Sequence, residues 1–164
     1  EENRRHLLNI RALYGEAAGN LADIGRKEDA KKLLDKVEQG ILAENFPYAM
    51  TGRYNSHNQT GLIYLEACYK AGKADLAEKV RLALRKDLEQ QKAYYTYLKT
   101  SRPELYGAFE RSEDPINEAL LMVLDAIEKQ YAPQVQPKTN VEGNNPSIIN
   151  TAPKDSGSKA DSQR

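Results

Sequence analysis

The sequence has no tryptophan, two methionines and a single cysteine, Cys68, among its 164 residues. One cysteine excludes an internal disulfide and any metal cage built from several cysteines. Basic and acidic residues balance at 24 each, so we expect no broad electrostatic surface for nucleic acid or membrane. No apolar run approaches the ~20 residues that a membrane-spanning helix needs. The composition therefore predicts a domain that does not itself insert into a membrane.

Motifs that carry chemistry are also missing. The only histidines, His6 and His57, have no second histidine or cysteine at a metal-ligand spacing. The chain contains no nucleophile elbow, phosphate-binding loop or zinc-protease helix motif. We therefore expect no catalytic residues, no metal and no cofactor.

Helical periodicity fills most of the chain, and no strand-like alternation occurs. The first predicted helix carries an apolar stripe at steps of three and four: Leu7, Ile10, Leu13, Tyr14, Ala17, Leu21 and Ile24. The predicted helices span about residues 3–24, 27–42, 57–71, 74–101 and 114–131. Asp114 and Pro115 suit the cap and first turn of the fifth. The pattern predicts an all-α domain over residues 1–132.

One unit occurs twice in this domain. In each copy a helical run ends at a glycine, Gly25 or Gly72, and an alanine, Ala30 or Ala77, opens the next run. Glycine ends a helix because it adopts the left-handed conformation at little cost, and alanine lets two helices approach closely. The order is that of tetratricopeptide repeats. It predicts antiparallel helix pairs stacked as a short array, with the fifth helix as a C-terminal cap.

A generic helical hairpin is the alternative, because it would use glycine and alanine for the same steric reasons. The second copy fits the repeat less well, since Arg81 occupies an expected apolar position. A long connection, residues 43–59, also separates the two copies. Its aromatic loop residues, Phe46, Tyr48 and Tyr54, either close one end of the core or form an exposed patch that binds a partner. We favour Phe46 and Tyr48 packing inward, with Tyr54 at an exposed rim.

The last part of the chain has a different composition. Residues 133–164 are rich in proline, asparagine, serine, lysine and glycine. Burial of their few apolar residues would not offset the conformational entropy lost when the segment becomes ordered. We predict a disordered polar tail.

Three stretches give the chain a family resemblance over about residues 4–131: Arg5-His6-Leu-Leu-Asn-Ile-Arg11, the unit from Gly25 to Val37, and Phe46-Pro47-Tyr48. The chain resembles the soluble C-terminal region of bacterial multi-spanning membrane proteins similar to protein O-mannosyltransferases. The resemblance implies a tetratricopeptide-like region on the extracytoplasmic, periplasmic side. It also implies that any sugar transfer belongs to the membrane part.

These observations favour a non-catalytic interaction domain that binds a protein segment or docks on the membrane part of its parent. Stacked helix pairs leave a groove lined by the first helix of each pair. The candidate binding residues are in that groove and the aromatic loop: Arg4, Arg11, Asn20, Phe46, Tyr48, Tyr54, Tyr64 and Tyr69. A structural spacer would have the same sequence features.

A glycan-acting enzyme domain is the alternative from a different class. It would need two carboxylates ~5–10 Å apart across a cleft, with aromatic rings as sugar platforms. Glu44 and Glu66, near the aromatic loop, are the candidates.

Overall fold

The computed structural model describes residues 2–131, which form five α-helices and two short 3₁₀ turns, with no strand in this range. The helices are α1 (Glu2–Asp23), α2 (Lys27–Gly40), α3 (Ser56–Ala71), α4 (Ala74–Ser101) and α5 (Ala108–Tyr131). The 3₁₀ turns are Arg53–Asn55 and Pro103–Leu105. The predicted all-α class is confirmed. The predicted disordered tail lies outside the described residues.

Glycine ends the first helix of each predicted pair. Gly25 and Gly72 have φ angles of 82° and 75°, in the left-handed region. Beyond Gly72, the Lys73 amide donates to the Cys68 carbonyl at 2.9 Å, which satisfies one of the last carbonyls of α3. The role predicted for both glycines is confirmed.

The inward face of α1 differs from the prediction. The structure buries Arg11, Gly15, Ala18 and Ala22, whereas three members of the predicted stripe are exposed, Ile10 at 43%, Leu13 at 64% and Ile24 at 70%. Small residues on the inward face allow α1 to lie close to α3. The larger stripe residues are left at the side of the helix, where several are only half-buried.

One apolar face of α2 and one of α4 are buried. Ala30, Leu34, Val37 and Ile41 are inside on the α2 side. The residues buried along α4 are Leu76, Val80, Leu84, Leu88, Tyr95 and Leu98. Burial raises the pKa of Tyr95 to about 12. α1 packs on α2 and α3, α3 on α4 and α5, and α4 on α5.

α5 begins at Ala108, six residues before the predicted start, so Pro115 is inside the helix. The additional N-terminal turns of α5 are stabilised at Gly107, whose backbone amide donates to the Glu110 carboxylate at 3.0 Å. Asp114 is not an N-cap. It is buried, accepts from the Tyr106 hydroxyl at 2.7 Å and pairs with Lys99. Val123 is exposed on this helix.

Between residues 2 and 131, every helix falls short of the combined length and apolar character that crossing a membrane requires.

Leucine at Ala30 or Ala77 should destabilise the domain. Both alanines are fully buried, and overpacking a closed core costs about 1–3 kcal/mol. Urea titration should therefore show a lower unfolding midpoint for Ala30→Leu and for Ala77→Leu. The matched control is Ala93→Leu on the exposed side of α4. If all three variants unfold at the wild-type urea concentration, the two alanines are not tightly packed.

Candidate functional site: a groove between the first and third helices

A groove of about 290 Å³ runs along the surface between α1 and α3. Residues from both helices line it: Gly15, Glu16, Gly19, Asn20, Asp23, Ile63, Glu66, Ala67 and Lys70. Ile63 is 40% exposed, so the groove presents apolar surface beside its polar groups.

Small residues on α1 bring the two helices together. A Cβ atom added at Gly15 would lie 3.2 Å from the Tyr64 ring, closer than ordinary packing allows. At Gly19 an added Cβ would lie 3.9 Å from Ala67, an ordinary contact. A larger residue at Gly15 would force α1 away from α3, whereas one at Gly19 would extend into the groove.

An ion-pair bridge closes one end of the groove. The Lys70 ammonium lies 3.0 Å from the Asp23 carboxylate on α1 and 3.2 Å from the Glu66 carboxylate on its own helix. The hydrogen bond to Asp23, with that to Glu66, raises the pKa of Lys70. Lys70 therefore stays charged and ties the two helices together.

The predicted site residues fall into two groups. Asn20 lines the groove, and Arg4 and Tyr54 are exposed. Five are buried instead: Arg11, Phe46, Tyr48, Tyr64 and Tyr69. Their side chains hold the domain together in this structure and are not available as a contact surface.

Arg11 is the central member of the buried group and is 1% exposed. Its guanidinium donates to the carbonyl of Phe46 at 2.8 Å and to that of Pro47 at 2.7 Å. It also lies over the rings of Phe46, Tyr48 and Tyr64, with centroids 4.7–6.0 Å away. Burial lowers the pKa of Arg11, because desolvation disfavours its charge. Arg11 therefore anchors the aromatic loop from beneath.

Glu38 of α2 completes this buried cluster. One carboxylate oxygen accepts from the Tyr48 hydroxyl at 2.5 Å, and the other accepts from the Tyr64 hydroxyl at 2.8 Å. Burial and the nearby carboxylate raise the pKa of both tyrosines. Both therefore remain neutral donors at physiological pH and link the loop to α2 and α3.

A second polar network holds the other end of the loop. The buried Asn55 and Gln91 side chains bond at 2.9 Å, and the Asn58 amide donates to Asp87 at 2.7 Å. The Glu113 carboxylate accepts from the Tyr54 backbone amide at 2.8 Å. Tyr54 is thereby held in a left-handed conformation, φ 57°, with its ring 53% exposed. The inward Phe46 and Tyr48 and the outward Tyr54 match the arrangement favoured from the sequence.

Sequence reasoning did not identify most of the groove residues. Glu16, Ile63 and Lys70 gave no signal, because each of these residue types is ordinary on a helix surface. Gly15 and Gly19 did carry a signal, since two glycines four residues apart inside a helix cost about 1 kcal/mol each and call for a packing reason.

The carboxylates of the enzyme alternative do not meet in this groove. Glu66 lines it, but Glu44 is not among the lining residues. The rings of Phe46 and Tyr48 are buried and cannot serve as sugar platforms. No set of three or more metal-ligating side chains comes together among residues 2–131.

Acidification should destabilise the loop through His57. Its Nε2 lies 2.8 Å from the Pro47 carbonyl, and burial lowers its pKa despite that bond, with Arg11 acting in the same direction. Between the lowered folded value and the unfolded value of about 6.5, the unfolded chain binds more protons. The contribution of neutral His57 to the free energy of unfolding is therefore complete above about pH 6.5. It is lost as pH falls through the pKa that His57 has in the folded state. Urea titrations from about pH 7.5 to 5 should show this loss.

A variant that cannot titrate gives the control for that result. His57→Gln keeps an amide donor near the Pro47 carbonyl but cannot titrate, so its stability should depend less on pH. An equal pH dependence in wild type and His57→Gln would show that His57 does not titrate on unfolding.

No protein-family model matched the chain, and searches of curated proteins and of solved structures found no match.

Proposed function

We propose that this chain is a non-catalytic helical-repeat interaction domain whose α1–α3 groove binds an extended protein segment. The observation that carries the proposal is the groove itself, about 290 Å³, in which an exposed Asn20 lies among small, apolar and charged residues. An asparagine side chain both donates and accepts hydrogen bonds, so it can pair with a peptide backbone. Recognition of that kind needs no catalytic group.

Contacts between helices support the tetratricopeptide-like part of the proposal. Along α1 and α3, Gly15 lies near Tyr64, Gly19 near Ala67 and Asp23 near Lys70. Residue numbers rise together in these pairs, as expected for the parallel first helices of two repeats.

In the contacts between α3 and α4, residue numbers rise along one helix and fall along the other. Asn58 bonds to Asp87, whereas Gly61, one turn further along α3, lies against Leu84. Opposite numbering supports an antiparallel pair. α5 also packs on α3, with the Tyr69 and Tyr131 rings stacked at 5.3 Å, as a capping helix would.

The sequence resemblance extends the proposal to location. It supports an extracytoplasmic, periplasmic domain beside a membrane-embedded part of the same parent, similar to protein O-mannosyltransferases. That part, or a client segment reaching it, is the partner that we propose.

Selection from a random peptide library on the immobilised full chain tests the proposal. Enriched peptides are synthesised, and their affinities are measured by fluorescence anisotropy. Gly19→Leu should weaken binding at least about tenfold, because its side chain extends into the groove while its Cβ meets Ala67 at an ordinary distance. Asn20→Ala should weaken binding by about fivefold, the scale of one lost hydrogen bond.

The control is Gln39→Ala, which changes an exposed residue of α2 outside the groove. It should leave peptide affinity unchanged, and thermal melting checks that all variants are folded. Peptides that bind Gly19→Leu as well as wild type would refute the groove as the binding site.

A further inference from the structure

We infer that the segment held in the α1–α3 groove is extended and carries a basic side chain, an inference that rests on the function proposed above. Three carboxylates line the groove, those of Glu16, Asp23 and Glu66, against one ammonium group, that of Lys70. The groove therefore holds two excess negative charges in a chain whose total charge is zero. A basic segment would compensate this charge, whereas an acidic one would be repelled.

The carboxylates are not equally available. Asp23 and Glu66 share the Lys70 ammonium at 3.0 and 3.2 Å. Glu16 forms no salt bridge with any residue of the range 2–131, and it is exposed at the edge of the groove. Its carboxylate is the point at which an incoming lysine or arginine would pair.

The exposed Asn20 side chain favours an extended segment. It lies beside the small groove residues Gly15, Gly19 and Ala67. An extended segment leaves its backbone N–H and C=O groups free to bond to Asn20, whereas a helix pairs them internally. Asn20 is one helical turn from Glu16 on the same side of α1, so it can bond to the backbone of a segment whose basic side chain reaches Glu16.

Three peptides that differ at one position test this inference: Gly-Ser-Ala-X-Ala-Ser-Gly with lysine, glutamine or glutamate at X. Binding to the ¹⁵N-labelled full chain is followed through the backbone amide shifts of Gly15, Gly19 and Asn20. The lysine peptide should bind about fivefold more tightly than the glutamine peptide, and the glutamate peptide should bind most weakly. The preference for lysine should shrink as salt rises from about 0.05 to 0.5 M.

Glu16→Gln should remove most of the preference for lysine over glutamine. The matched control, Glu28→Gln, changes an exposed carboxylate of α2 that is paired with Lys31 at 2.7 Å, and it should preserve the preference.

If lysine and glutamine peptides shift the groove amides with equal affinity, the basic preference is wrong and the groove still binds peptides. If no peptide shifts these amides at millimolar concentration while library peptides bind there, the inference fails and the proposed function stands. If neither set binds, both fail.

Discussion

Replacing Arg11 with alanine should lower the free energy of unfolding by about 3–5 kcal/mol. The carbonyls of Phe46 and Pro47 would lose the donor that approaches them at 2.8 and 2.7 Å. The three rings around the guanidinium would border a cavity, and the half-buried Glu38 carboxylate would lose a nearby positive charge. Urea titration followed by circular dichroism measures the loss.

Arg11→Met separates packing from hydrogen bonding, because methionine fills much of the same space without donors. We expect it to remain about 1–3 kcal/mol less stable than wild type, since the buried Phe46 carbonyl stays unpaired and the Pro47 carbonyl keeps only its bond to His57 Nε2. Arg5→Ala, on an exposed part of the same helix, is the control and should change stability by less than about 0.5 kcal/mol. If Arg11→Met is as stable as wild type, the cost of desolvating the guanidinium cancels the stabilisation from its hydrogen bonds and ring contacts.

Periodicity and turn residues were sufficient to predict the helices. The apolar steps in α2 and α4 and the glycines at positions 25 and 72 depend on neighbours within a few residues. Such local rules act the same way in most folds. α5 is the exception, because the contact of Asp114 with Lys99 outweighed the local preference for a helix start at Asp114 and Pro115.

The inward face of α1 could not be predicted in this way. An arginine in a helix is normally exposed, and burial of Arg11 depends on two carbonyls 35 and 36 positions away in sequence. With Arg11 buried, α1 is rotated about its axis so that Leu13 and Ile24 face solvent and Gly15 faces α3. The groove follows from that rotation, which is why Asn20 alone among the predicted peptide-binding residues lies in it.

Phe46→Ala should have the other large effect, a loss of about 3–5 kcal/mol. The ring is 2% exposed, packs 4.9 Å from the His57 ring and stacks against the Arg11 guanidinium at 4.7 Å. Its removal leaves a cavity where the loop closes the core. The effect should not add to that of Arg11→Ala, because each residue provides part of the other's environment. A double-mutant cycle measures that coupling.

Tyr54→Ala is the matched comparison within the same loop. The Tyr54 ring is half-exposed, and the groups that hold this position are its backbone amide and carbonyl, which bond to Glu113 and Gln59 at 2.8 and 2.7 Å. Alanine keeps both bonds and is no worse than tyrosine at the left-handed φ, so stability should change by less than about 0.5 kcal/mol. Under the proposed function, Tyr54→Ala should also leave the affinity for the selected peptides unchanged, because Tyr54 does not line the α1–α3 groove. The contribution of each ring to stability follows the apolar surface that it removes from water. If Tyr54→Ala is destabilised and Phe46→Ala is as stable as wild type, the buried and exposed sides of this loop are therefore the reverse of those described.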